Sequence, residues 1–329
     1  MASSSSSSGG RGPTILDHTN FERFLDSVTP CLHLHSIPPG RVHGVDSNSV
    51  VVDEPVSYFK LADLWQGFDQ ASAYGVGTRV LLDDGDVVTQ YYTPYLSAIQ
   101  LYTNKPYPSA SAEVVRCDSD NSWSDDNESE KVSRSMSDNS SPTWEDHSHL
   151  TTDRSDKRGH VYLSYCEFAS PFWRIPFYDK IMEFAQTRPE LMTLTSLDLS
   201  PSSWLAILWY PIYNIPSQKR SKDLSTIFLT FYTLSSSFLG DQQTSDKGRT
   251  PAIKIFQQKK SKEAKNEMIY LRPFGLSTFK LSGNTWTMKE SDVQKMSSLQ
   301  TAADSWLKDL NFSHHDFSFY LNQSAEVHK

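Results

Sequence analysis

Cysteine is nearly missing from these 329 residues: Cys31, Cys117 and Cys166 are the only three, scattered and without a C-x-x-C pair. Such a set offers neither a disulfide framework nor a zinc knuckle, and it points to a reducing compartment, cytoplasm or nucleus. Long hydrophobic runs are missing too. The longest, residues 204–210, is far short of the roughly 20 that a spanning helix needs, so no membrane partner is expected and the run reads as a core strand. Residues 1–10 lack a basic start followed by an apolar stretch, which argues against a secretory signal. They leave little room before Thr19 for a plastid transit peptide, so residues 1–18 read as a disordered serine-rich tail. Basic charge is also short, with 31 Lys and Arg against 39 Asp and Glu. A surface that neutralises phosphates needs the opposite balance, so nucleic acid is not an expected partner. No G-x-S-x-G elbow, H-E-x-x-H pair or Walker loop occurs, and no cofactor is implied.

What is present is a core's worth of apolar material, 37% of the chain, interrupted by one acidic tract. Residues 106–158 carry twelve Asp and Glu against six Lys and Arg, so most of the net charge of -8 sits there. This serine-rich segment, bounded as 105–158, cannot bury enough apolar area to offset its conformational entropy and reads as a disordered insert. On either side, residues 19–104 and 159–329 show regular patterns and read as two parts of one domain. Thr19 and Glu22 form a capping box ahead of Phe21, Phe24, Leu25 and Val28 at helical spacing. Leu61, Leu64, Trp65 and Phe68 mark a second helix. Strand-like runs flank Asp84-Gly85, and Pro94 is expected to break the second of them. A helix with Ile181, Met182, Phe184 and Ala185 on its apolar face follows Pro176. Strands are expected over residues 204–213, 225–234 and 268–281, the last bent at Pro273 and Gly275. A final helix carries Met296, Leu299, Ala303, Trp306 and Leu310, and residues 317–321 suit a short strand. Tight turns and no βαβ repeat predict an α+β fold, an antiparallel-dominated mixed sheet with a few packed amphipathic helices. Trp65, Trp204 and Trp306 are expected in its core.

Candidate chemistry is thin. Cys31, His33 and His35 alternate along a strand and share a face, but no second cluster is near in sequence to complete a tetrahedral zinc site, so no metal is expected. His147, His149, His314 and His315 read as loop histidines. Gly75 and Gly77 follow a helix rather than opening one, which fits a helix cap better than a phosphate turn. Asp83, Asp84 and Asp86 crowd a hairpin tip, where carboxylates serve the turn. Lys295-Met296-Ser297-Ser298 echoes a synthetase loop, yet Met296 lies on a helix stripe. The aromatic and proline-rich stretches around Tyr92, Tyr95, Trp209, Tyr210 and Tyr213 are candidate lining for a groove that takes an extended peptide. Such residues more often fill core and strand-edge positions, where proline is tolerated at an edge or bulge, and that reading is the favoured one. In the insert, Ser122, Ser137 and Ser141 sit in kinase-like contexts, and each phosphate would add about -1.5 to -2 charges. Lys219-Arg220-Ser221-Lys222 and Lys259-Lys260-Ser261-Lys262 fit a short nuclear-import pattern.

Residues 20–30 (N-F-E-R-F-L-D-S-V-T-P), 90–102 (Q-Y-Y-T-P-Y-L-S-A-I-Q-L-Y) and 201–216 (P-S-S-W-L-A-I-L-W-Y-P-I-Y-N-I-P) resemble a plant family catalogued only as a domain of unknown function, number 789. Leu64-Trp65, Tyr74-Gly75 and Phe274-Gly275-Leu276 extend the resemblance to both parts of the domain. It implies one domain with a variable acidic insert, and it carries no activity or catalytic residue. The functional expectation is therefore a non-enzymatic interaction or regulatory module with a protein partner. The competing expectation is an enzyme assembled from loop ends, using some of Asp63, Asp84, His160 and Arg174.

Overall fold

The run that begins at Trp204 lies at the middle of a sheet and is buried from both sides. The computed structural model describes residues 18–38, 40–43, 49–52, 55–107, 115–116, 158–212, 223–236 and 267–327. In chain order the helices are α1 (Asn20–Ser27), α2 (Leu61–Gly67), α3 (Asp69–Tyr74), α4 (Phe177–Thr187), α5 (Glu290–Asp309) and α6 (His315–Val327). The strands of the main sheet are β5 (Val76–Leu81), β6 (Val87–Thr103), β7 (Val115–Arg116), β8 (His160–Cys166), β9 (Trp204–Ile212), β10 (Ile227–Thr233) and β12 (Gly275–Phe279). Their spatial order is β12-β10-β9-β6-β8-β7, with β5 also paired to β6. A smaller sheet has the order β11-β1-β4, from β11 (Glu267–Tyr270), β1 (Cys31–Ile37) and β4 (Val56–Tyr58), and β2 (Gly40–His43) pairs β3 (Ser49–Val52). Among the described residues every pairing is antiparallel except that of β7 with β8. The fold is α+β, in one domain.

Period-two alternation explains the continuous apolar runs. Leu205, Ile207 and Trp209 point to one side of β9, and Phe228 and Tyr232 to the same side of β10, where α1 to α4 cover them. Phe24 stacks on Phe228 with ring centroids 3.8 Å apart, and Phe68 packs against Trp209 and Tyr232. Trp204, Ala206, Leu208, Leu229 and Phe231 face the other way, under α5 and α6. There Gly275 allows a close approach, since a Cβ on it would lie 2.9 Å from that of Ala303 on α5.

Several expectations need correction. Pro94 does not break β6: the strand runs through it with Pro94 opposite Trp209 of β9. On its other side β6 pairs β5 only to Tyr92 and β8 only from Ala98, so Pro94 falls where that ladder asks for no donor. Residues 317–321 form part of α6 rather than a strand, because Phe317, Tyr320 and Leu321 share a helical face against Phe231 and Phe279. Trp65 and Trp204 are fully buried, and Trp306 is partly buried, packed on Phe274 at the margin of the second core. Met182, expected on the apolar face of α4, is exposed; Phe177, Ile181 and Phe184 make that face. Gly75 does cap α3, with φ of 75° and its N–H bonded to the Ala71 carbonyl.

Candidate functional site

The irregular features of the sheet and helices converge where α6 begins. In β6 the register against β9 slips between Leu96 and Ala98, so Ser97 is an extra residue, a bulge that turns its hydroxyl toward α6. That hydroxyl donates to Asp316, in the first turn of α6. Arg174 grips the same carboxylate in two-pronged fashion, Nη1 to Oδ2 at 2.7 Å and Nη2 to Oδ1 at 2.8 Å. Its Nε donates to the Ala169 carbonyl at 2.8 Å. The two charged side chains are 1% and 0% exposed. Burial alone would raise the Asp316 carboxyl, but the Arg174 charge and its hydrogen bonds outweigh it and hold the group well below the usual range. Cys166, at the end of β8, is pushed up to about 11, chiefly by burial, and stays a thiol.

His314 caps α6: its Nδ1 accepts the Phe317 N–H at 3.2 Å, which leaves the proton of the neutral ring on Nε2. Rings of Trp204, Phe231 and Phe312 surround it. Burial pushes it down to about 4 from an ordinary 6.5. Between those two values the unfolded chain binds a proton that the folded chain refuses. Stability is therefore full above pH 6.5 and is lost as pH falls toward 4, by about 3 kcal/mol. Lower still, the depressed Asp316 carboxyl adds its own loss, beginning below about pH 3.9 where the unfolded group protonates. Urea midpoints measured from pH 7.5 to 4.5 should fall along this curve. His314→Asn, which keeps an acceptor at the cap without titrating, should flatten it; an unchanged slope would assign the loss to other groups.

Above this buried pair lies an exposed aromatic loop, residues 168–175. Glu167 fixes its start, its Oε1 accepting the N–H groups of Phe168 and Ala169 and its Oε2 the Tyr165 hydroxyl. Pro171 is buried and opens the 3-10 turn Pro171–Trp173, and Arg174 anchors the far end. Between these anchors Phe172 and Trp173 are 75% and 71% exposed, their rings perpendicular and 5.2 Å apart. Phe168 and Ile175 are exposed beside them, and Phe168 touches the ring of His315. The Asp316 carboxylate is shared by Arg174 and the Ser97 hydroxyl, with His315 Nδ1 3.5 Å from its Oδ1. Through Arg174, whose Nε holds the Ala169 carbonyl, the cluster anchors the loop.

Of the five groove candidates, Tyr92 and Trp209 are buried on the α1-to-α4 side of the sheet, while Tyr95 and Tyr210 touch on the opposite side and are half-buried. Tyr213 lies outside the described residues, as do Ser122, Ser137, Ser141, Cys117, His147, His149 and both basic runs. Asp63 lies 3.5 Å from His35, Asp84 bonds the Asp86 N–H in the hairpin turn, His160 is exposed at the start of β8, and Arg174 is in the buried pair. These four stand on separate elements. Met296 is buried in α5. Among the described residues no three His, Cys, Asp or Glu side chains gather as a metal centre, and no helix is long and apolar enough to cross a membrane. Sequence reasoning missed Ser97, Asp316 and the loop. The available signal was two adjacent bulky aromatics between Pro171 and Pro176, outside any periodic stretch.

A profile of the family described as Protein of unknown function (DUF789) matches residues 19–320, which include the sheet, every helix core and the loop with its anchor. The chain belongs to this family. No curated protein and no solved structure matches it. As a DUF789 member it carries its exposed aromatics on the family's own domain, within the matched residues.

Proposed function

We propose that this DUF789 chain is a protein-binding module that docks through the loop 168–175, with the acidic stretch 105–158 and its Ser122, Ser137 and Ser141 as the regulated part, acting in the cytoplasm or nucleus. The observation that carries the reading is the exposure of Phe172 and Trp173 on a loop held by a fully buried ion pair. Large aromatics usually go to the core; a pair kept in water on an anchored loop loses little freedom on binding and makes a strong contact centre. Tyr95, in electrostatic reach of Arg174, packs against Tyr210 on the α5-and-α6 side of the sheet, both half-buried.

The test is a Phe172→Ala/Trp173→Ala double variant. Its folding should stay within about 0.5 kcal/mol per site of the parent, as for surface positions. A partner recovered with the parent should bind the purified variant at least about 30-fold more weakly, the loss of a contact worth about 2 kcal/mol or more. Equal affinity of parent and variant for every recovered partner would remove the loop from the interface.

A further inference from the structure

A second surface, far from the aromatic loop in sequence, carries unusual chemistry. In the smaller sheet the register sets Cys31 opposite Tyr270, His33 opposite Met268 and His35 opposite Tyr58. Directly opposed residues share a face, so these six side chains stand together on one side, while Leu32 and Ile269 point into the core. Cys31, His33, Met268 and Tyr270 are exposed, and Cys31 is a free thiol. A strand face in water ordinarily shows Lys, Glu or Thr. This one holds no Lys, Arg, Asp or Glu at any of its six positions.

We propose that Cys31, His33 and Met268 form a binding site for a soft monovalent metal ion, copper(I). Thiolate and thioether donors select copper(I), and an imidazole completes a three-coordinate set. Opposed residues place their Cβ atoms about 5 Å apart, diagonal neighbours about 7–8 Å apart, and alternate residues of one strand about 7 Å apart. An ion held by the bent Cys31 thiolate lies about 3.3 Å from that Cβ, and the longer histidine and methionine side chains span the remaining roughly 4–6 Å from their own Cβ atoms, each with one metal–ligand bond of about 2.0–2.3 Å. His35 is turned away from that triangle: its ring stacks on Tyr58, and its Nε2 is buried 3.5 Å from Asp63 Oδ2 of α2. The remaining three donors are too few for zinc, which takes four in a structural site, and they include a thioether that zinc does not favour. On binding, the Cys31 thiol gives up its proton to solvent and the ion keeps its oxidation state, so no oxidant or reductant is consumed.

The experiment is an anaerobic titration of the reduced, metal-free full chain with copper(I) held by the chromophoric competitor bicinchoninate. The parent should withdraw one equivalent. Cys31→Ser should abolish this, and Met268→Leu and His33→Gln should each weaken it at least about tenfold, the floor set by loss of a mere outer-shell partner. A Cys117→Ser/Cys166→Ser double variant should bind as the parent does. All three changes in the site fall on exposed side chains, so thermal melts should stay at the parent's value and separate lost binding from lost folding. Zinc titrated against its own competitor should remain with the competitor. The assignment is overturned if the parent withdraws no copper, if Cys31→Ser or Met268→Leu still binds one equivalent at parental affinity, or if zinc binds stoichiometrically through Cys31.

Discussion

Replacing Asp316 by alanine is expected to remove about 3–5 kcal/mol of folding stability, a large part of the roughly 5–15 kcal/mol that a domain has. The carboxylate receives both Nη groups of Arg174 and the Ser97 hydroxyl, and none of these reaches water. Without it a guanidinium is left buried and uncompensated, and desolvation that the pair had offset becomes a net cost. A double variant, Arg174→Met/Asp316→Leu, should lose less than the single change, since apolar side chains of similar size need no partner. Urea unfolding followed by circular dichroism checks both. If the double variant is as unstable as Asp316→Ala, the cost comes from lost packing rather than from an orphaned charge. The double variant bears on function as well. It keeps the core filled but frees the loop 168–175 from its anchor, so it should fold and still bind the partner more weakly than the parent, separating anchoring from mere stability.

How far the chain could be read from its residues depends on the range of the forces involved. Short-range features were legible. The capping box at Thr19 is formed, with Thr19 Oγ1 accepting the Glu22 N–H at 3.2 Å and Glu22 Oε2 accepting the Thr19 N–H at 3.0 Å. The Asp84-Gly85 turn joins β5 to β6 with Gly85 at φ 89°, and the apolar runs at Trp204 and Ile227 are the buried strands expected of them. Features decided by distant partners were not. Phe317, Tyr320 and Leu321 fit a strand end as well as a helix until His314 is seen capping the helix and Asp316 is seen tied to Arg174, 142 residues earlier. Ser97 gave no local sign, because a bulge is a mismatch between two strands and appears only once β6 and β9 are paired. Asn20 is similar: it stands beside the capping Thr19 with no local sign of its own, yet it is buried and bonds the backbone of Leu81 in both directions, fastening α1 to β5. Pro94 misled for the same reason. A proline's effect on a strand depends on which neighbour it faces, and that neighbour is set by residues more than a hundred positions away.

Truncating Trp204 to alanine should cost about 3–5 kcal/mol, the usual loss for a fully buried indole. Trp204 is 0% exposed and meets Phe231, Phe312 and His314 beneath α5 and α6, so truncation empties a fully buried aromatic site. Trp209, five residues on, faces the other side of the sheet and gives its indole N–H to Thr230 at 2.8 Å. Among the described residues the Trp204 N–H has no hydrogen-bond partner. This difference sets up a second comparison. Trp204→Phe removes an unpaired buried donor along with some ring volume, so relief of the donor offsets part of the packing loss, and the cost should be well below that of alanine. At Trp209 the same change removes the N–H that the Thr230 hydroxyl oxygen accepts and adds to the packing loss, so Trp209→Phe should be the more damaging of the two phenylalanine variants. Thermal melts of the four proteins, parent included, decide it. A Trp204→Ala protein that melts with the parent would place the residue outside the core. Equal losses for the two phenylalanine variants would mean that both indole N–H groups are equally satisfied.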